Sequence, residues 1–323
     1  MENKESDMKY EASAHITHTK YFSFKEFSVD SQSLPFRLLL MTIRYVNKAA
    51  LAVAGVKLVR ESKEGRLEQF CYPCDKEIIK IRILGLVRAI SDFLSKLGIN
   101  AKDDELQLVI IEYDRLFRDD QVSNLNGGMG YNNGMMLFCV SRFYSPKIVI
   151  ESGVWRGFTT YLLDSAIPSD SLIYAFDINL SLIEFQLTKA TYYEKDISTQ
   201  NLDLKGYKVL AFFDDHVSHY DRLRYCIKNQ IDMVVFDDDV SVTTVHSDGW
   251  PPIPTANMVI NYEHIPHKFK WVSNGRIGEA DISMISKSTC ELIRHEYNYQ
   301  IMPDLFELTG YRNSSVTSFM ARR

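Results

Sequence analysis

The chain has 323 residues, 46% hydrophobic and 24% charged, with a net charge of −5. This is ordinary globular material, long enough for one large domain and an appendage. It carries no basic stripe with interleaved aromatics, so DNA and RNA are disfavoured as partners. The five cysteines, Cys71, Cys74, Cys139, Cys226 and Cys290, are odd in number and scattered, which fits a reducing compartment better than a disulfide framework. The first thirty residues are polar and mixed in charge, without a signal-peptide pattern. No later stretch approaches the roughly 18 uninterrupted apolar residues of a spanning helix, so the expected location is the cytoplasm.

Residues 1–33 read as a flexible arm, and residues 34–120 as a helical N-terminal region. From Leu34 to Arg60, apolar residues alternate with Arg37, Arg44, Lys48, Lys57 and Arg60, and no acid intervenes. The pattern predicts a basic amphipathic helix that either packs on the main domain or rests peripherally on an anionic membrane surface. Cys71-Tyr72-Pro73-Cys74 has no second cysteine pair to complete a zinc site, so it reads as two incidental thiols. Asp75 to Leu97 is predicted as a long helix, apolar on more than one stripe and hence buried, and a second helix runs from about Asp104 to Phe117. The Gly- and Asn-rich stretch Asn124 to Gly134 predicts a loop over a ligand, followed by a helix from Met135 to Phe143.

Lys147-Ile148-Val149-Ile150 is a short apolar run that reads as a buried strand, and Glu151-Ser152-Gly153-Val154-Trp155-Arg156-Gly157 follows it at once. Phe158 to Ala166 then has helical spacing, with Thr159 and Thr160 in the opening turn. Strand, glycine turn and helix together form a nucleotide-binding corner, in which glycines let the backbone turn sharply and approach a ligand. Three more apolar runs end in acids: Ser171 to Asp177, Lys208 to Asp215, and Asp232 to Asp239. Parallel strands in right-handed βαβ units bring those acids to one edge of the sheet. Helices are expected from Ser181 to Lys189 and from Tyr220 to Asn229.

Glu-Ser-Gly-Val-Trp-Arg-Gly followed by Ala-Phe-Asp resembles the Glu-x-Gly-x-x-x-Gly and ribose-acid motifs of class I S-adenosylmethionine-dependent methyltransferases. The Gly-Val-Trp-Arg-Gly wording is similar to the bacterial branch that includes cephalosporin-hydroxylase-like and sugar O-methyltransferases. Ser152 and Arg156 depart from the dinucleotide pattern Gly-x-Gly-x-x-Gly, which disfavours a nicotinamide cofactor. The resemblance implies a Rossmann-like doubly wound α/β fold over residues 121–323 and S-adenosylmethionine as cofactor. It implies cofactor contacts from Glu151, Gly153, Trp155, Gly157, Thr159, Thr160, Asp177 and Asp237, and an adenine contact from Asp214 or Asp215. It also implies that Phe306 to Tyr311 and Ser315 to Met320 form the hairpin finishing the sheet.

Asp237, Asp238 and Asp239 are hard oxygen ligands suited to Mg²⁺, which could lower the pKa of an acceptor hydroxyl. His216 or His219 could instead act as general base, with Asp238 at the catalytic centre. His246 and Asp248 are further candidates for substrate or metal contact. Residues 240–282 show no strand-helix repeat; their prolines and aromatics, among them Trp250, Tyr262 and Trp271, suggest an insertion covering the substrate, and a helix is expected from Ser283 to Tyr297. The function that follows is O-methylation of a small polar acceptor such as a sugar or secondary metabolite, and homo-oligomerisation is compatible with it. Two other readings stay open. Asp237-x-Asp239 resembles the metal-binding motif of nucleotide-sugar glycosyltransferases, and a non-catalytic protein could keep this fold.

Overall fold

In the computed structural model the chain divides into two units, Met1–Phe70 and Cys71–Arg323. The structure describes residues 20–24, 56–60, 76–117, 129–245, 251–273, 276–283 and 285–323. In the first unit β1 (Lys20–Phe24) pairs in parallel with β2 (Val56–Arg60). These strands replace part of the expected arm and the end of the expected basic helix. The reason is visible in Val56-Lys57-Leu58-Val59-Arg60, where valines and near alternation of apolar and charged residues suit a pleated strand. The rest of 34–60 and Cys71-x-x-Cys74 lie outside the described residues. Among the described residues no helix is long and apolar enough to cross a membrane.

The second unit begins with α1 (Lys76–Lys96), α2 (Asp103–Phe117) and α3 (Tyr131–Tyr144). Only the second half of α1 is buried: Leu86, Val87, Ile90, Phe93 and Leu94 pack inward, whereas Ile78, Ile79, Ile81 and Leu84 are exposed, contrary to the expectation of a helix buried throughout. α3 starts four residues before the predicted helix, so Asn132, Asn133 and Gly134 belong to it and are buried.

Seven strands then build one sheet: β3 (Ile148–Ser152), β4 (Leu172–Asp177), β5 (Ala190–Glu194), β6 (Val209–Phe213), β7 (Met233–Phe236), β10 (Tyr297–Ile301) and β11 (Ser318–Arg322). Their order is β10-β11-β7-β6-β3-β4-β5. The pairs among β3 to β7 are parallel, and β11 runs antiparallel to both β7 and β10. Side chains alternate between two buried faces, as a sheet covered on both sides requires. Val149, Leu210, Phe212, Val235 and Phe319 meet α1, α2, α3 and α4 (Phe158–Ala166). Ile148, Ile150, Phe213, Val234, Phe236 and Met320 meet α5 (His219–Lys228), α6 (Ala256–Ile260) and α7 (Lys287–Glu296). Each fully buried Phe, Val or Ile contributes about 1.5–3 kcal/mol, so the two apolar layers hold the sheet between them. This is the Rossmann-like, doubly wound α/β architecture.

Three expectations change. Ser181 to Lys189 is not a helix. After a short turn at Leu180–Leu182, the N–H groups of Glu184 and Phe185 both donate to the Arg156 carbonyl, drawing this segment onto the β3–α4 turn. The chain then forms the edge strand β5, absent from the predicted strand count. Phe306–Thr309 is a helical turn, α8, ended by Gly310 at φ 78°, so β11 pairs with β10 rather than with residues 306–311. Between α6 and α7 lies the hairpin of β8 (Lys268–Ser273) and β9 (Arg276–Asp281). There Trp271 packs with Phe269 against Val240, Val245 and Met258.

Candidate active site

A doubly wound sheet opens a crevice where neighbouring connections leave in opposite directions, here between β3 and β6. A cavity of about 560 Å³ lies there, lined by Gly153, Trp155, Asp177, Lys195, Asp196, Asp214, Asp215, His216, Asp237, Asp238, Ser314 and Ser315, with Ser152, Ile178 and Val217. Four strand ends thus supply its carboxylates.

The turn after β3 forms its floor. Gly153 has φ 95° and Gly157 has φ 91°, both in the left-handed region. The glycines also admit the chain itself. A Cβ on Gly153 would come 2.2 Å from the Asp214 carbonyl oxygen, and one on Gly157 would come 2.2 Å from that of Phe185. Trp155 follows Gly153 into the left-handed region, its ring on the cavity and the Arg156 guanidinium 4.8 Å from it. Glu151 is fully buried beneath this turn. Its Oε2 accepts from Thr160 Oγ1 at 2.6 Å, Oε1 has no hydrogen-bond partner, and burial raises its pKa to about 8. Glu151, Gly157, Thr159 and Thr160 support the turn without lining the cavity.

Asp177 reaches the cavity from β4. Its Oδ2 accepts from the N–H groups of Val154 and Trp155, each at 2.9 Å, and its Oδ1 from that of Asn179 at 2.9 Å. It therefore fixes the glycine turn while its Oδ1 keeps one lone pair free of these bonds. Asp196, which no sequence motif singles out, occupies the end of β5. Arg222 of α5 is 3% exposed and holds Asp196 with Nη1 and Nη2, at 3.2 and 2.5 Å, and Asp215 with Nε at 2.9 Å. Hydrogen bonding to Arg222, opposed by partial burial, keeps the Asp196 carboxyl below the usual carboxylate range. Because β5 is the third strand of this sheet in chain order, the acid after the third strand is Asp196. Asp215, expected together with Asp214 as an adenine contact, is bound to Arg222 and to the Val217 N–H.

The three acids after β7 separate. Asp237 and Asp238 line the cavity, but Asp239 is 0% exposed and turned away, its Oδ1 accepting from Asn257 N at 2.7 Å and its Oδ2 from Tyr299 Oη at 2.8 Å. This removes Asp239 from the expected metal set, and the Asp-x-Asp pair of a glycosyltransferase does not face the cavity together. The histidines separate as well. His219 is 2% exposed, stacks on Phe236 with centroids 4.2 Å apart, and its Nδ1 accepts from Ala256 N at 3.1 Å. It is a packed side chain, not a base on the cavity. His216 is 46% exposed at the rim, in the left-handed region at φ 54°, with Nδ1 3.8 Å from Asp238 Oδ2.

Asp214, His216 and Asp238 each place one ligand atom within 4.8 Å of the others. Their donor set of oxygen, nitrogen and oxygen suits a divalent cation. The Asp214 carboxyl lies well above its usual pKa because it is buried and faces Asp237, Asp238, Asp215 and Glu151. A cation would relieve that crowding. His246 and Asp248 lie outside the described residues. Tyr262 and Trp271 do not line the cavity: Tyr262 donates to the Ile285 carbonyl, and Trp271 belongs to the hairpin cluster.

The remaining wall comes from Ser314 and Ser315, at the junction of the two strands that sequence reasoning places in a hairpin. Asn133 Nδ2 donates to Thr317 Oγ1 at 2.7 Å and to Ser315 O at 3.1 Å, and its Oδ1 accepts from Ser314 N at 2.9 Å. Thr317 Oγ1 donates to Asp237 Oδ1 at 2.7 Å, as does Ser315 Oγ. The sequence signal for this arrangement is the pair of asparagines at the start of a mostly apolar helix.

The strand order, with its single reversed strand, is that of the class I methyltransferase fold. No family model matches the sequence, and no curated protein does. Solved structures do. The O-methyltransferase TomG from Streptomyces achromogenes, involved in tomaymycin synthesis and in complex with S-adenosylmethionine, is 10% identical over 74% of this chain and 98% of its own, with a TM-score of 0.39. An O-methyltransferase from Bacillus cereus in complex with S-adenosylhomocysteine is 10% identical over 76% of this chain and 100% of its own, with a TM-score of 0.36.

Proposed function

We propose that this chain is an S-adenosylmethionine-dependent O-methyltransferase acting on a small polar acceptor, a sugar or secondary metabolite, with Mg²⁺ held by Asp214, His216 and Asp238. One observation carries the reading: Asp177, Asp196, Asp214, Asp237 and Asp238 meet on a single cavity over a glycine turn. Its volume of about 560 Å³ suits a nucleoside-sized ligand together with part of an acceptor. Asp177 offers the remaining lone pair of its Oδ1 to a ribose hydroxyl, and Asp196, steadied by Arg222, takes the adenine side. The acidic far wall favours a cationic ligand.

The bound cofactor supplies an electrophilic methyl group on a positively charged sulfur, so the protein has to align an acceptor oxygen and remove its proton. His216 stands at the rim for this. With its Nδ1 toward Asp238, its Nε2 is the atom that can accept the hydroxyl proton. A cation would be held by Asp214, His216 and Asp238 and would supply the acidity that lets an acceptor hydroxyl give up its proton.

Isothermal titration of the full chain with S-adenosylmethionine and S-adenosylhomocysteine, beside uridine diphosphate with Mn²⁺, tests the reading. Binding of the adenosyl ligands, lost in Asp177→Ala, is expected. Binding of the uridine nucleotide alone would overturn it. A chelator then decides the chemistry, since full methyl transfer in its presence would leave His216 to act as base without a metal.

A further inference from the structure

Asn133 sits in the first turn of α3, fully buried, and does not line the cavity. It nevertheless connects to the cavity by a hydrogen-bond path of fixed direction. Its amide nitrogen can only donate, so Thr317 Oγ1 accepts from it and sends its own proton to Asp237 Oδ1. Ser315 repeats the pattern, its carbonyl and hydroxyl accepting from Asn133 Nδ2 and its hydroxyl donating to Asp237 Oδ1. The start of α3 and the residue before it grip the segment along its length. Asn132 Nδ2 donates to the Tyr311 carbonyl at 2.6 Å, Gly130 N donates to Ser314 Oγ at 2.9 Å, and the Tyr131 and Tyr311 rings stack with centroids 4.4 Å apart.

We infer that Asn133 is a positioning residue, acting through Thr317 and Ser315 to hold Ser314 and Ser315 in the cavity wall and to fix the direction in which the Asp237 carboxylate faces its ligand. A plain structural tie would need no directed chain of donors ending on a cavity carboxylate. Two hydroxyls converging on one oxygen of Asp237 leave its carboxylate little freedom to rotate. The inference rests on the reading above that the cavity takes S-adenosylmethionine. The feature that an oriented carboxylate can distinguish there is the positive sulfur, which S-adenosylhomocysteine lacks.

The test is the ratio of affinities for S-adenosylmethionine and S-adenosylhomocysteine, measured by titration on the wild-type chain and on Asn133→Asp, Thr317→Val, Ser315→Ala and Thr317→Ser. Asn133→Asp keeps the shape but can only accept, which reverses the path, while Thr317→Val removes one hydroxyl. Both should lower the preference for the sulfonium ligand by about tenfold, the size of one weakened charge interaction near a protein surface. Thr317→Ser restores the hydroxyl and should restore the ratio. Ser315→Ala lies in the cavity-wall segment, outside helix and strand, and should shift the ratio in the same direction even if a core variant fails to fold. Variants that bind both ligands with the wild-type ratio would overturn the inference while leaving the cofactor reading intact. A wild-type chain that binds neither ligand would overturn both.

Discussion

Gly153 and Asp214 meet backbone to backbone: a Cβ on the glycine would lie 2.2 Å from the Asp214 carbonyl oxygen and 3.0 Å from the Asp215 nitrogen. The contact joins the turn after β3 to the loop after β6, the two sides of the crevice. Gly153→Ala should therefore act twice. Its left-handed φ costs an alanine about 1–2 kcal/mol, and a backbone carbonyl cannot rotate away as a side chain could. A fall in unfolding free energy of more than about 2 kcal/mol, read from denaturant midpoints, is expected. A variant as stable as wild type would mean the two loops are not held this close.

Glu151 predicts a dependence on pH. Burial raises its pKa from 4.5 to about 8, so across that interval the folded chain keeps a proton that the unfolded chain has released. Stability from this group is present at low pH and is lost as pH rises toward 8, at about 1.4 kcal/mol per unit. Glu151→Gln, which has no proton to lose, should flatten the profile by on the order of 3 kcal/mol between about pH 5 and pH 8. Parallel curves for the two proteins would show that Glu151 ionises normally.

Arg222 is one cation between two acids on different loops. Arg222→Met would leave Asp196 and Asp215 facing each other unpaired, a change that typically costs about 3–5 kcal/mol. Arg222→Lys keeps the charge but not the fork, and should recover only part of the loss. Thermal unfolding of the three proteins would show the order, and equal stability of Lys and Arg would mean that charge alone matters here.

The division among the acids after β7 can be measured with Mn²⁺. Asp214→Asn, His216→Ala and Asp238→Asn should each weaken Mn²⁺ binding by about tenfold or more, since even residues outside the ligand shell often cost that much. Asp239→Asn should leave the affinity unchanged and lower stability instead, through its bonds with Asn257 and Tyr299. Loss of metal binding in Asp239→Asn would return that residue to the metal set.

The parts of this fold legible in the sequence are those where burial leaves one choice. β3, β4, β6 and β7 lie inside the sheet and read as apolar runs, and their terminal acids follow from the shared polarity of parallel strands. β5 is an edge strand whose Thr191-Tyr192-Tyr193 is half exposed, so no apolar run marks it, and Asp196 just beyond its end goes unread with it. Asn132 and Asn133 look like loop residues because their partners lie about 180 residues further on. Phe306-Glu307-Leu308-Thr309 alternates like a strand, yet the left-handed Gly310 closes it as a helical turn. Which of three consecutive aspartates faces the cavity depends on a backbone turn at Asp238, with φ 53°, that no composition rule anticipates.

Trp155, His216 and Asp238 are all left-handed, and all line the cavity. Such backbone costs a bulky residue roughly 1–2 kcal/mol, least for Asp and most for a side chain like tryptophan. Asn or Gly at position 155 would recover part of that energy and take the indole out of the cavity. Selection for heat resistance and selection for ligand binding therefore pull in opposite directions at these positions. Variants chosen for heat resistance alone should gather at these positions and bind more weakly, marking the cavity without knowledge of its ligand.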